Sequence, residues 1–145
     1  MIDINRLVSN FVVKYGTANP YTLASYLKIR IITTDLPENL RGFLVRVLRR
    51  KIIILNDQLS EIGAKVVLCH ELGHVRLHSG YGYHFHPNQT YYIPAKRERE
   101  ASEYGARLLS YSHDLDGNLM SKIINEKKPD PKIIHRLLAE LIEAR

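Results

Sequence analysis

The sequence contains little cysteine, no long apolar run and no internal repeat. Its single cysteine, Cys69, excludes an intramolecular disulfide, and the chain does not open with the charged, apolar and small-residue series of a secretion signal. The apolar run from Ile52 to Leu55 falls far short of the roughly 18 to 20 residues that a membrane span needs. We therefore expect a cytoplasmic protein that is not embedded in a membrane.

The composition is that of an ordinary globular protein. The chain has 145 residues, 45% of them hydrophobic and 25% charged, which predicts one folded domain over residues 1–145. The formal net charge is +6, but the basic residues are scattered, and their densest group, Arg49 to Lys51, is typical of a hairpin turn. Nucleic-acid binding is therefore not expected, because a basic balance also serves solubility and association with acidic proteins.

The first half of the chain predicts two helices followed by a small sheet. Asp3 is a candidate N-cap for a first helix, and a second helix follows Pro20 and runs to Leu27. The β-branched segment from Ile29 to Thr34 predicts a strand. Two further apolar runs, separated by basic residues, predict an antiparallel hairpin: Gly42 to Val47 and Lys51 to Leu55.

The second half is predicted to be helical around one long loop. Ser60 is expected to cap a helix from Glu61 to His78. The segment from Gly80 to Pro94 has no lasting periodicity and predicts a loop, after which a helix extends from Lys96 to Leu109. Asp130 and Pro131 open the last predicted helix.

The segment His70-Glu71-Leu72-Gly73-His74 is an H-E-x-x-H motif within a predicted helix. Residues four apart share one helix face, so both imidazoles can bind a single zinc ion, and Glu71 can serve as the general base. Gly73 is expected to allow close packing beside the site. The alternative is a surface helix that carries these residues by accident. We expect an α+β fold, a small zincin-like domain, mostly helical, whose short sheet packs beside the metal-binding helix.

A catalytic zinc usually needs a third protein ligand. His78 lies about 12 Å along the helix from His70, too far to share the ion, and is interpreted as a helix-end residue near the C-terminal dipole. Glu98 is the preferred ligand, because it shares a helix face with the small residues Ala101, Ser102 and Gly105.

Other candidate residues receive lesser roles. Ser102 is expected to hydrogen-bond a ligand histidine. Glu100 and Glu103 are interpreted as charges on a solvated face, and Cys69 as a buried small hydrophobe. His84 and His86 are interpreted as ordinary loop residues, with roles as ligands or oxyanion-stabilising groups left as alternatives.

At these residues the sequence resembles the ImmA/IrrE family of zinc metallopeptidases, many of them encoded by phages and integrative elements. In that family two histidines and a glutamate of an E-x-x-A-N-x-F-A helix bind zinc, which carries over to His70, His74 and Glu98. The departures are Ser102 for Asn, Tyr104 for Phe and Gly105 for Ala. The matching segments are Tyr15-Gly16, Asn19-Pro20, Leu23-Ala24, Ile29 to Thr34, Gly42-Phe43, Ile54 to Asn56, His70 to His78 and Glu98 to Leu109.

The resemblance implies a zinc-dependent endopeptidase that cleaves a cytoplasmic repressor, typically a helix-turn-helix protein encoded beside the peptidase. Two alternatives stay open: a regulatory module that docks to a transcription factor or DNA without proteolysis, and a zinc hydrolase of small amides. The presence of Glu71 argues against the first, since a scaffold needs no general base. The second would require the segment from Gly80 to Pro94 to close into a pocket.

Overall fold

The computed structural model describes residues 3–38, 40–47, 49–78, 83–84 and 95–111. The helix predicted from Asp130 onward, His86 and most of the segment from Gly80 to Pro94 lie outside the described residues. None of the described helices is long and apolar enough to span a membrane.

Four helices are described, and local capping explains where three of them begin. The Asp3 carboxylate accepts a hydrogen bond from the Arg6 amide at 3.1 Å, and Ser60 Oγ accepts one from the Gly63 amide at 3.0 Å. Asn19 Oδ1 caps the second helix from the residue before Pro20. The helices are α1 (Ile4–Tyr15), α2 (Pro20–Tyr26), α3 (Glu61–Leu77) and α4 (Ala95–Ser110).

Within the described residues, the strands form one four-stranded sheet in the order β1-β3-β2-β4. The predicted hairpin is confirmed, because β2 and β3 pair antiparallel with Val47 opposite Arg50, while β1 runs parallel to β3. The prediction of an unbroken loop after Gly80 was wrong at Tyr83 and His84, which pair in parallel with β2 as a short strand. The strands are β1 (Ile29–Thr34), β2 (Gly42–Val47), β3 (Arg50–Asn56) and β4 (Tyr83–His84).

One face of the sheet packs against the helices and builds the main core. Leu44, Ile53 and Leu55 on this face join Phe11 of α1 and Leu68 of α3 in a single buried cluster. This arrangement holds α3 beside the sheet, while α4 packs along α3 and also contacts α1. The fold is α+β, as the sequence predicted, and the helix that carries the H-E-x-x-H motif lies between the sheet and α4.

Candidate metal centre

Helices α3 and α4 approach each other so closely that glycine is required at two points of contact. A Cβ on Gly73 would lie 2.7 Å from the backbone oxygen of Ala101. A Cβ on Gly105 would lie 3.0 Å from the backbone nitrogen of His70. These distances are shorter than van der Waals contact, so the absence of side chains sets the spacing of the two helices. The predicted role of Gly73 in close packing is confirmed.

This close contact brings His70, His74 and Glu98 together. His70 Nε2 lies 3.1 Å from Glu98 Oε2, and His74 Nε2 lies 3.0 Å from Glu98 Oε1. One candidate ligand atom from each residue falls within 4.8 Å of the other two. Two imidazole nitrogens and a carboxylate oxygen form the donor set of a three-ligand zinc site with one open position. The side chains therefore fit a zinc ion by number and chemistry.

The surroundings of His74 and Glu98 favour metal binding at neutral pH. Burial lowers the pKa of His74 to about 4, against the opposing hydrogen bond with Glu98, so its imidazole is uncharged near pH 7. Burial alone would raise the pKa of Glu98, but its hydrogen bonds with His70 and His74 outweigh this effect and lower that pKa. An uncharged imidazole and an ionised carboxylate are the forms that bind metal.

Glu71 lies on the same turn of α3 as His70 and is 5% exposed. Carboxylates are seldom buried this completely in proteins unless they are paired or serve a purpose. Its burial beside the candidate ligands distinguishes it from Glu61, an exposed glutamate in the first turn of the same helix. Glu71 therefore differs from an ordinary surface charge.

Ser102 contacts the ring of His70 on the side opposite Glu98. Its Oγ lies 3.3 Å from Nδ1 of His70, the ring nitrogen that does not face Glu98. The expected hydrogen bond between Ser102 and a candidate ligand is therefore present in the structure. Ser102 can fix the ring orientation of His70 in the way that groups around a metal site commonly orient ligating histidines.

The interpretation of Glu100 as a solvated charge was wrong. Its side chain is only 19% exposed, and its Oε1 lies 3.3 Å from Nε2 of His78. His78 caps the end of α3, as expected, but it is buried and its Nδ1 lies 3.0 Å from Nδ1 of His74. Glu103, by contrast, is 54% exposed and lies 3.9 Å from Arg107, in agreement with a surface role.

The sequence held one indication of the His78 contact. His78 follows His74 by one helical turn, and this spacing predicts that the two rings share a face of α3. The partner on α4 could not be found this way, because helical spacing does not report which residues of two helices meet. Cys69 is fully buried, and burial raises the pKa of its thiol to about 12, which agrees with its interpretation as a small hydrophobe.

Comparisons with known proteins found a matching family and a similar phage protein. The family model Peptidase_M78, described as the IrrE N-terminal-like domain, matches residues 24–116. The "Uncharacterized immunity region protein 2" of Bacillus phage phi105 is 36% identical over 106 residues, which are 73% of this chain and 67% of that protein. No solved structure matches the chain significantly.

Fold and site together define an α+β domain with a candidate metal centre between two helices. The chain belongs to the ImmA/IrrE family, as its sequence predicted. Membership of this family indicates a metallopeptidase-type protein, and both helices of the candidate centre lie within the matched residues.

Proposed function

We propose that this protein is a zinc-dependent endopeptidase that cleaves a helix-turn-helix transcriptional repressor in the cytoplasm. One observation carries the proposal: ligand atoms of His70, His74 and Glu98 converge within 4.8 Å, and Glu71 is buried on the same helix turn. Family membership supports the peptidase class. The relative named for a phage immunity region supports a substrate that controls phage genes.

In the proposed mechanism, His70 Nε2, His74 Nε2 and the Glu98 carboxylate would hold a zinc ion. Zinc bound there would act as a Lewis acid, making the attacking water more acidic and polarising the carbonyl group of the substrate. Glu71 accepts a proton from the attacking water and delivers it to the nitrogen of the departing amine. Ser102 keeps the His70 ring in place through Nδ1 while this happens.

The proposal is tested by cleavage of the repressor encoded beside the gene for this protein. The purified protein is incubated with that repressor, with and without a chelator, and the products are identified by mass spectrometry. We expect two fragments from the zinc-loaded protein and intact repressor after chelation. Glu71→Gln should bind zinc and leave the repressor intact, because it retains shape but loses the base.

Glu61→Gln is the matched control, since it makes the same change on the same helix at an exposed position. It should cleave as the unmodified protein does. Cleavage by Glu71→Gln at the rate of this control would exclude Glu71 as the base. Zinc binding without cleavage by the unmodified protein would instead favour a docking module over a peptidase.

A further inference from the structure

His74 belongs to a chain of polar contacts that continues away from the candidate metal centre. Its Nε2 faces Glu98 at 3.0 Å, and its Nδ1 faces Nδ1 of His78 at the same distance. Nε2 of His78 then faces Oε1 of Glu100 at 3.3 Å. The chain therefore runs from one carboxylate to another through two imidazoles.

A count of protons shows that this chain is incomplete without a cation. Each of the three contacts requires one N–H group if it is a hydrogen bond, because an ionised carboxylate can only accept. An uncharged imidazole carries one N–H, so two imidazoles supply two of the three. The remaining contact therefore needs one more bridging cation, which is either an added proton or a metal ion.

The position of that cation depends on the direction of the hydrogen bonds. If Nε2 of His78 donates to Glu100, Nδ1 of His78 carries a lone pair and accepts from Nδ1 of His74. His74 then has a lone pair on Nε2, directed at the Glu98 carboxylate. Two lone pairs facing each other are stable only with a cation between them: a proton in the hydrogen-bonded pair, or the proposed zinc, which would bind here in its place.

We propose that His78 and Glu100 are positioning residues that hold His74 in the tautomer whose Nε2 can bind the metal. The inference rests on the proposed zinc site and assigns a role to two residues outside its ligand set. Ligating histidines commonly donate their other N–H to a carboxylate, and here a second imidazole extends that connection to Glu100. The two histidines in this chain of contacts are protected from water, since His74 is 0% and His78 6% exposed.

The first test measures the zinc dissociation constant by competition with a chromophoric chelator. Glu100→Ala and His78→Ala should weaken zinc binding about 10-fold to 100-fold, the loss typical of groups that orient metal ligands. His78→Asn should recover most of the affinity, because the asparagine oxygen can accept from His74 in place of Nδ1. Glu103→Ala is the matched control, as it removes a glutamate from the exposed side of α4, and it should bind zinc normally.

The second test reads the tautomers directly from the nitrogen chemical shifts of the histidine rings in the zinc-loaded protein. We expect the proton of His74 on Nδ1 and that of His78 on Nε2, with the His78 preference lost in Glu100→Ala. Thermal unfolding identifies any variant that fails to fold. If His78→Ala is such a variant, Glu100→Ala decides the question, because its side chain is partly exposed.

Zinc affinity of Glu100→Ala equal to that of Glu103→Ala would overturn the inference, as would a His78 proton on Nδ1 in the zinc-loaded protein. Neither measurement involves peptide cleavage. A protein that binds zinc but cuts no repressor would therefore count against the proposed function alone. Unchanged zinc affinity and tautomers in an active Glu100→Ala variant would count against the positioning role alone.

Discussion

Replacement of Gly73 by alanine should separate the two helices that hold the candidate ligands. The new Cβ would lie 2.7 Å from the Ala101 oxygen, 3.0 Å from its Cα and 3.1 Å from Cβ of Tyr104. Two of these three atoms belong to the backbone, so no side-chain rotation relieves the contact. Ordinary contact begins near 3.4 Å, so α4 must move by about 0.7 Å along this line.

This displacement should weaken zinc binding and also lower the stability of the protein. Alanine is favoured over glycine within a helix by about 1 kcal/mol, while overpacking costs about 1–3 kcal/mol. The free energy of unfolding should therefore fall by about 2 kcal/mol at most. Zinc–ligand distances tolerate only about 0.2 Å, so moving Glu98 away from His70 and His74 should weaken zinc binding at least about 10-fold.

The assay compares zinc dissociation constants and thermal unfolding of Gly73→Ala with those of Gly63→Ala. Gly63 also lies within α3, but the atoms nearest to a Cβ there belong to Leu59 and to Ser60, the N-cap of α3, rather than to α4. Gly63→Ala should keep full zinc affinity. If folded Gly73→Ala binds zinc as tightly as Gly63→Ala does, the spacing of α3 and α4 does not control the site.

Three further outcomes are expected. His70→Ala, His74→Ala and Glu98→Ala should each abolish zinc binding, because each removes one of the three protein ligands. Full zinc occupancy of any of these variants by metal analysis would show that the replaced residue is not a ligand. Ser102→Ala should weaken zinc binding or activity about 10-fold to 100-fold by freeing the His70 ring, and an unchanged dissociation constant and rate would make the contact incidental. Cys69 should resist iodoacetamide in the folded protein and react once the protein is unfolded, since the thiol is buried with a pKa of about 12. Rapid labelling of Cys69 under native conditions, detected by mass spectrometry, would contradict this expectation.

The sequence alone determined those parts of the site that depend on local geometry. The spacing of His70 and His74 places both rings on one face of a helix whatever surrounds it. The same reasoning separated Glu98, with its small neighbours Ala101 and Ser102, from Glu103 on the solvated side of α4. N-terminal signals predicted α1, α2 and α3, and two apolar runs separated by basic residues predicted the hairpin, because such signals act within a few residues.

Only the tertiary structure decided how α3 and α4 align. Periodicity describes the face of each helix but not which residues meet across the contact, so the pairing of His78 with Glu100 and the addition of β4 to the sheet escaped prediction. The alignment is fixed where Gly73 meets Ala101 and Gly105 meets the His70 backbone. Such contacts join residues far apart in the chain, and their geometry follows from packing of the whole core rather than from any local sequence signal.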